Sequence, residues 1–399
     1  MVDQATNELL ARTGPGTAGG DLLRRYWMPL APKLEIDESE KKQIRLLGED
    51  LVLFKNGAGC YGLVAEQCSH RGASLFYGRV EVDGIRCPYH GWKYDLSGSC
   101  LEQPAESPGG EHKDTIRHPA YPVQESGGVL FGYLGPQPAP LLPRYDILVR
   151  EDWVRRIEIH PTLDCNWLQP MENAVDPAHL YWLHGYTGGA PTTRDERMDF
   201  EIFEYGIYKY HYGEKKVEVH PLVFPNLLRG PGNVAHFRIP MDDAHTGVLY
   251  VLYSPAAAGA PGKQKQVPYQ YIGPVKERYD DNGFLRYRHH MKTFASQDAM
   301  AWETQGRIAD RTREHLGASD KGVVMFRQML RLQLEKVKKG EDPVGVIRDP
   351  EKNKIIEFKV QAIDRKTGEE IPYRDYDRRS FATPVSEKKA RAGSGGAKT

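Results

Sequence analysis

The chain has 399 residues, more than one ordinary domain holds and enough for two or three with sizeable cores. Its 40 % apolar and 27 % charged residues, with 22 Tyr, 12 Phe and 6 Trp, exclude disorder for the bulk of the sequence. Lys plus Arg (54) balances Asp plus Glu (54), so no global field steers the molecule onto nucleic acid or an anionic membrane.

The longest apolar run, near Val248 to Tyr253, is about six residues against the roughly 20 of a spanning helix, and residues 1–10 carry no secretory core. No membrane contact and a cytoplasmic location are therefore expected. Residues 7–12 and 21–27 predict two short helical pieces around a Gly/Pro turn at 14–20, within an N-terminal segment 1–26. Residues 44–47, 51–54 and 61–64 predict strands, with Asn56-Gly57 turning between the last two, and shorter strands follow at 85–86, 92–95 and 129–131. Residues 27–143 are accordingly expected to form a small all-β domain that ends in the Pro-rich stretch 135–143. Mixed structure follows over 144–385, with strands at 153–159, 200–212, 236–239 and 248–253. Val323, Phe326, Leu330, Leu334 and Val337 recur at helical spacing, with Ser319 as N-cap and Gly340 as stop. Residues 256–263 are simple in composition and predict a loop, and 386–399 predict a disordered tail.

The glycines at 14–19 and 57–62 both spell a dinucleotide-binding pattern. The first follows a helix and the second lies inside a hairpin, so neither is expected to bind NAD or a flavin. The five cysteines are too few, and odd in number, for a disulfide framework, and read as metal ligands plus packed thiols.

Cys68-Ser69-His70, then 16 residues, then Cys87-Pro88-Tyr89-His90 place one thiolate and one imidazole on each of two loops. Tetrahedral zinc is the alternative reading, but a Cys-x-His pair is unusual for zinc. Gly72 and Gly91, just beyond each pair, allow tight turns that bring backbone amides toward bridging sulfides. Two Cys and two His match a [2Fe-2S] cluster in which imidazoles replace thiolates on one iron, which raises its reduction potential. The sequence Cys68-Ser69-His70-Arg71-Gly72 with Cys87-Pro88-Tyr89-His90-Gly91-Trp92 resembles the Rieske cluster motif. Cys60, Cys100 and Cys165 remain as packed thiols.

A second dense cluster runs from Glu172 to Gly185. Asp176 before Pro177 predicts a helix start. His179 and His184 then stand at i, i+5, about 140° apart on a regular helix, so both face one metal only if the helix is irregular. Two histidines and a carboxylate holding iron(II) leave positions open for dioxygen and substrate. The run Asn173-x-x-Asp176-x-x-His179-x-x-x-x-His184 resembles the catalytic motif of Rieske non-haem iron oxygenases. Spacing does not select the carboxylate among 54 acids. The resemblance supplies it, because Gln297-Asp298 followed by Glu303-Thr304-Gln305-Gly306 is similar to the segment with the third ligand.

Residues 7–10, 14–17, 22–27, 116–122 and 240–246 are all similar to the phthalate dioxygenase group, whose members use α subunits only. The resemblance implies an α+β protein, with an N-terminal all-β Rieske domain and an α+β catalytic domain built on an antiparallel sheet. It implies a homotrimer or stacked trimers, in which one subunit's cluster feeds its neighbour's iron. A separate reductase of flavin and ferredoxin type would carry electrons from NAD(P)H, with O2 as co-substrate. It also implies that Asp176 bridges His179 to His70 or His90 of the adjacent subunit. The expected function is hydroxylation of a small aromatic substrate, with an aromatic carboxylate favoured and Arg194, Arg197, Arg229 and Arg238 as possible anchors. O- or N-dealkylation is the alternative, and a pure Rieske electron carrier is the reading from a different class.

Overall fold

Helix α1 (Gln4–Ala11) is capped by Asp3, whose carboxylate accepts from the Thr6 amide, and helix α2 (Ala18–Leu23) by Thr17, whose hydroxyl accepts from the Gly20 amide. A Cβ at Gly19 would stand 2.1 Å from the Arg12 carbonyl oxygen, so this glycine permits close chain approach between the two helices. Helix α2 ends before the expected Trp27, because Trp27 opens the strand Trp27–Pro32, whose prolines hide it from a pattern reading. The computed structural model describes residues 2–108, 111–185, 196–230, 234–255, 264–281 and 284–371. The expected loop 256–263, Arg194, the boundary at 385 and the tail lie outside these.

Three small antiparallel sheets make up the N-terminal β region. One orders Trp27–Pro32, Val129–Tyr133 and Val123–Ser126, and a second orders Lys41–Leu46, Glu49–Lys55, Tyr61–Ala65 and Ala120–Tyr121. The third, Arg79–Val80, Gly84–Arg86, Lys93–Asp95 and Cys100–Glu102, carries the second cysteine loop between its middle strands. Helix α3 (Lys33–Ser39) and the 3-10 turns Leu75–Tyr77 and Lys113–Thr115 interrupt the expected all-β region, and α3 buries Ile36. The glycines at 57–62 lie in a hairpin turn, where the Asn56 amide donates to the Cys60 carbonyl at 2.9 Å.

A ten-stranded sheet dominates the remainder. Its order is Arg197–Phe203, Gly206–Tyr212, Lys216–Val223, Leu227–Arg229, Val234–Pro240, Thr246–Pro255, Trp153–Ile159 and Tyr269–Tyr271, with Gln361–Asp364 and Glu370–Ile371 added on Lys216–Val223. Only Tyr269–Tyr271 runs parallel to its neighbour. The single strand expected at 200–212 is a hairpin of two, turning at Glu204-Tyr205. Period-two alternation sorts the strands into two faces. Val223, Leu227, Ala235, Phe237, Leu249 and Val251 pack with Trp27, Phe131 and Tyr133 of the N-terminal region. Three helices lie over the other face: α4 (Leu168–Asn173), α5 (Phe294–Glu303) and α6 (Lys321–Lys338). The N-cap of α6 is Asp320, not the expected Ser319, which lies in a preceding 3-10 turn Ala318–Asp320. No helix among the described residues is long and apolar enough to cross a membrane.

Candidate active site and metal centres

The two cysteine loops fold alike. Gly72 donates to the Cys68 carbonyl at 2.8 Å, and Gly91 to that of Cys87 at 3.2 Å. Both glycines have φ of +76°, a conformation that other residues adopt only under strain. Cys68 and Cys87 are buried, and the Tyr94 hydroxyl lies 3.1 Å from the Cys68 sulfur. The His70 and His90 rings stand 4.6 Å apart, and His70 stacks on Trp92 at 4.5 Å. His70 Nδ1 is a buried nitrogen without a hydrogen-bond partner. Two free thiols, two clustered imidazoles and an orphaned ring nitrogen fit a two-iron cluster. Of the other cysteines, Cys100 and Cys165 are buried as expected, whereas Cys60 is exposed, because it sits at the hairpin turn and points outward.

The second centre begins where α4 ends. Asn173 is the last residue of α4, and its main-chain carbonyl accepts from the Asp176 amide at 3.0 Å. Asp176 Oδ1 accepts from the Ala178 amide at 3.0 Å, the expected capping contact. A π-helix then spans Leu180–Gly185. Its wider turn supplies the irregularity that the i, i+5 spacing requires, and the His179 and His184 rings lie 5.4 Å apart. Across from them, α5 presents Asp298. Among the described residues, His179, His184 and Asp298 are the group of three whose ligand atoms all fall within 4.8 Å of one another.

The hydrogen bonds of this group define its charge. His184 Nδ1 lies 2.7 Å from Gln297 Oε1, and the Gln297 amide nitrogen donates to the Met291 carbonyl at 3.0 Å, which fixes the oxygen toward the imidazole. His184 Nε2 therefore faces Asp298 Oδ1, 3.2 Å away, and that oxygen is buried and has no hydrogen-bond partner. Two acceptors converging on one point, with His179 Nε2 3.9 Å from the same oxygen, fit a cation held between them. Burial opposes the charged form of Asp298, but His184, His179 and Arg238 hold its pKa below the usual carboxylate value. Burial likewise opposes the His184 imidazolium, and the Asp298 charge with the Gln297 hydrogen bond raises that pKa in net. His179 Nδ1 bonds the Asp176 main-chain carbonyl, while the Asp176 carboxylate lies 3.9 Å off and 29 % exposed.

Of the expected arginine anchors among the described residues, Arg238 is the one placed beside this group. Its guanidinium lies 5.1 Å over the ring of Trp302, one helical turn beyond Asp298, and its Nε and one Nη are buried without partners. Arg229 projects from the opposite face toward Tyr253 and Asp146, and Arg197 is exposed and paired with Asp199, so neither lines the site. The sequence reading missed Lys209, His220, His236 and Tyr250, which share the buried face with Arg238. Their signal was polar residues at alternate positions of otherwise apolar strands. It also missed Glu172, a buried carboxylate clamped by Arg311 (2.8 and 2.9 Å) and Arg327 (2.6 Å) that ties α4 to α6.

These features fit a protein of two candidate metal centres, one pair of Cys/His loops suited to a two-iron cluster and one group of two histidines and a carboxylate suited to a single cation. Comparison with known proteins identifies the family. Residues 26–124 match the Rieske [2Fe-2S] domain, and residues 223–391 match the family described as LigXa C-terminal domain like. The chain is 40 % identical to the 5,5'-dehydrodivanillate O-demethylase oxygenase subunit of a Sphingobium species, over 89 % of this chain and 86 % of that protein. It is 33 % identical to the phthalate 4,5-dioxygenase oxygenase subunit of Pseudomonas putida, over 95 % of both chains. Among solved structures, a caffeine-bound mutant of NdmA from Pseudomonas putida CBB5 shares the fold, with a TM-score of 0.60 at 20 % identity over 81 % of this chain and 94 % of that one. The chain belongs to the Rieske non-haem iron oxygenases, in the phthalate dioxygenase-like group. It is a terminal oxygenase component, and likeness to oxygenase subunits over most of their length speaks against a bare electron carrier.

Proposed function

We propose that the protein hydroxylates a small aromatic substrate, with a carboxylated aromatic favoured, at a mononuclear iron held by His179, His184 and Asp298. The observation that carries this reading is the convergence of those three ligand atoms within 4.8 Å in a chain that also has a Rieske domain. Cys68, His70, Cys87 and His90 would hold the cluster. Iron(II) at the second site would supply oxygen activation and two-electron oxidation of the substrate.

The chain's own residues prepare that chemistry. The π-helix turns both imidazoles to one side, and α5 sets the carboxylate against them. Arg238, whose buried cation has unfilled hydrogen-bonding capacity, would orient a substrate carboxylate beside the metal, the site's apolar walls coming from Val248, Leu252 and Trp302. The Asp176 carboxylate, partly exposed at the foot of the iron helix, would receive the cluster histidine of a second subunit, which supports the trimeric reading. Electrons would arrive from NAD(P)H through a separate flavin and ferredoxin-type reductase.

Dealkylation of an aryl ether or N-methyl group is hydroxylation at the methyl carbon, so the same site serves it, and the products distinguish the two. The test is oxygen uptake with a generic reductase across aromatic acids, aryl ethers and N-methyl compounds, with products identified by mass. Substrate-dependent uptake with a ring-hydroxylated aromatic acid is expected. Formaldehyde release without ring oxygenation would establish dealkylation instead, and cluster reduction with no uptake on any compound would overturn the oxygenase reading.

A further inference from the structure

The imidazole of His184 is held on both edges by one turn of α5. Phe294 packs on its ring at 4.6 Å between centroids, Gln297 Oε1 meets its Nδ1 and Asp298 Oδ1 faces its Nε2. These three residues stand at i, i+3 and i+4, the spacing that places side chains on one helical face. Gln297 is fully buried, and its amide nitrogen is committed to the Met291 carbonyl, so the carboxamide cannot turn over without losing that bond.

We propose that Gln297 is a positioning residue that selects the metal-binding tautomer of His184. The proposal rests on the reading of His184 and Asp298 as ligands. With the proton on Nδ1, donated to Gln297, the Nε2 lone pair is left bare toward the metal position. A turned amide, or an apolar residue, lets the proton move to Nε2, where Asp298 Oδ1 at 3.2 Å accepts it. His184 and Asp298 then satisfy each other, and a metal must break that bond to enter. His179 needs no such device, because its Nδ1 is met by a main-chain carbonyl that no side-chain change removes. The consequence is that metal loading depends on a neutral side chain that never touches the metal.

The test titrates metal-stripped, cluster-intact protein with Co(II), comparing the wild type with Gln297→Leu, Gln297→Glu and Asp298→Asn. Gln297→Leu should weaken Co(II) binding roughly 10–100-fold while the visible spectrum of the cluster is unchanged. Gln297→Glu retains an acceptor oxygen and should bind within a few-fold of wild type. Wild-type affinity in Gln297→Leu, alongside loss in Asp298→Asn, would overturn the role of Gln297. Wild-type affinity in Asp298→Asn would instead overturn the ligand set. Should Gln297→Leu fail to fold, long-range 1H–15N spectra of the histidine-labelled, metal-stripped wild type decide. In spectra recorded at a pH where His184 is neutral, a proton on Nδ1 alone supports the proposal, and one on Nε2 overturns it.

Discussion

Asp176 makes its contacts through different atoms. Its main-chain carbonyl meets His179 and one carboxylate oxygen accepts from the Ala178 amide, while its other oxygen stands 3.9 Å from the His179 ring on a partly exposed side chain, where we propose it meets a second subunit. Asp176→Asn keeps the capping ability, so both metals should bind and the cluster should accept electrons. Single-turnover product from the pre-reduced variant should fall at least about tenfold, the loss typical of a displaced outer-shell partner. Near-normal product would leave Asp176 a helix cap. Lys209 makes a pH prediction at the same scale. Burial pulls its pKa from 10.5 to about 7, with Asp176 opposing and Arg238 assisting. Between those values the unfolded chain holds a proton that the folded one lacks, so the cost of burying Lys209 shrinks as pH rises. The melting temperature of Lys209→Met should exceed that of wild type most near pH 6 to 7 and converge toward it by about pH 10. A difference independent of pH would show that Lys209 keeps its ordinary pKa. Among single residues, the candidate ligands Cys68, His70, Cys87, His90, His179 and His184 were legible because their spacing is local. Asp298 was not, since a lone acid more than 100 positions downstream has no periodic signature and only resemblance found it. Lys209, His220 and His236 were hidden for a related reason, because a strand's polar positions acquire meaning only when its neighbours in the sheet are known.

Among elements, the helical segment with His179 and His184 depends on what lies behind it. Gly322 of α6 backs onto the turn after α4, where a Cβ would stand 2.2 Å from the Val175 carbonyl oxygen and 2.5 Å from Phe200. Gly322→Ala should therefore displace the segment leading to Asp176, lowering both stability and mononuclear iron content although it touches none of the three proposed ligands. Unchanged iron content would mean that α6 and the turn move apart without cost. Glu172 secures the same joint, since burial alone would raise its pKa but the two arginines hold it below the ordinary value. Its contribution is thus present above the unfolded pKa and lost as pH falls through the folded one. Glu172→Gln leaves Arg311 buried beside a neutral partner and should cost about 3–5 kcal/mol in denaturant unfolding at neutral pH. A loss below about 1 kcal/mol would place the clamp among dispensable ion pairs. The long α6 and most strands were readable from their apolar periods. The strand Trp27–Pro32 and helix α3 were not, the first for its prolines and the second because its one buried residue, Ile36, sets no period.

Across the whole molecule, the two cysteine loops sit in a small core of their own with Val52, Phe54, Val64 and Tyr94, whereas His179, His184 and Asp298 stand on helical segments packed on the large sheet, so the two candidate centres rest on separate supports. The segment at 240–246, one of the stretches that carry the family resemblance, ties the large sheet to the N-terminal region. Asp243 accepts from the Thr13 amide at 2.7 Å and pairs with Arg12, while the carbonyls of Pro240 and Met241 accept from Leu47 and Gly48. These contacts were not legible in the sequence, because Arg12 and Thr13 lie some 230 positions from Asp243. Iron and acid-labile sulfide analysis of wild type and His179→Ala tests whether the two centres are separate. Wild type should hold about three irons and about two sulfides per chain, and His179→Ala about two of each with the cluster spectrum intact. Equal iron in both proteins, or loss of the cluster spectrum from a folded His179→Ala, would contradict two separate centres.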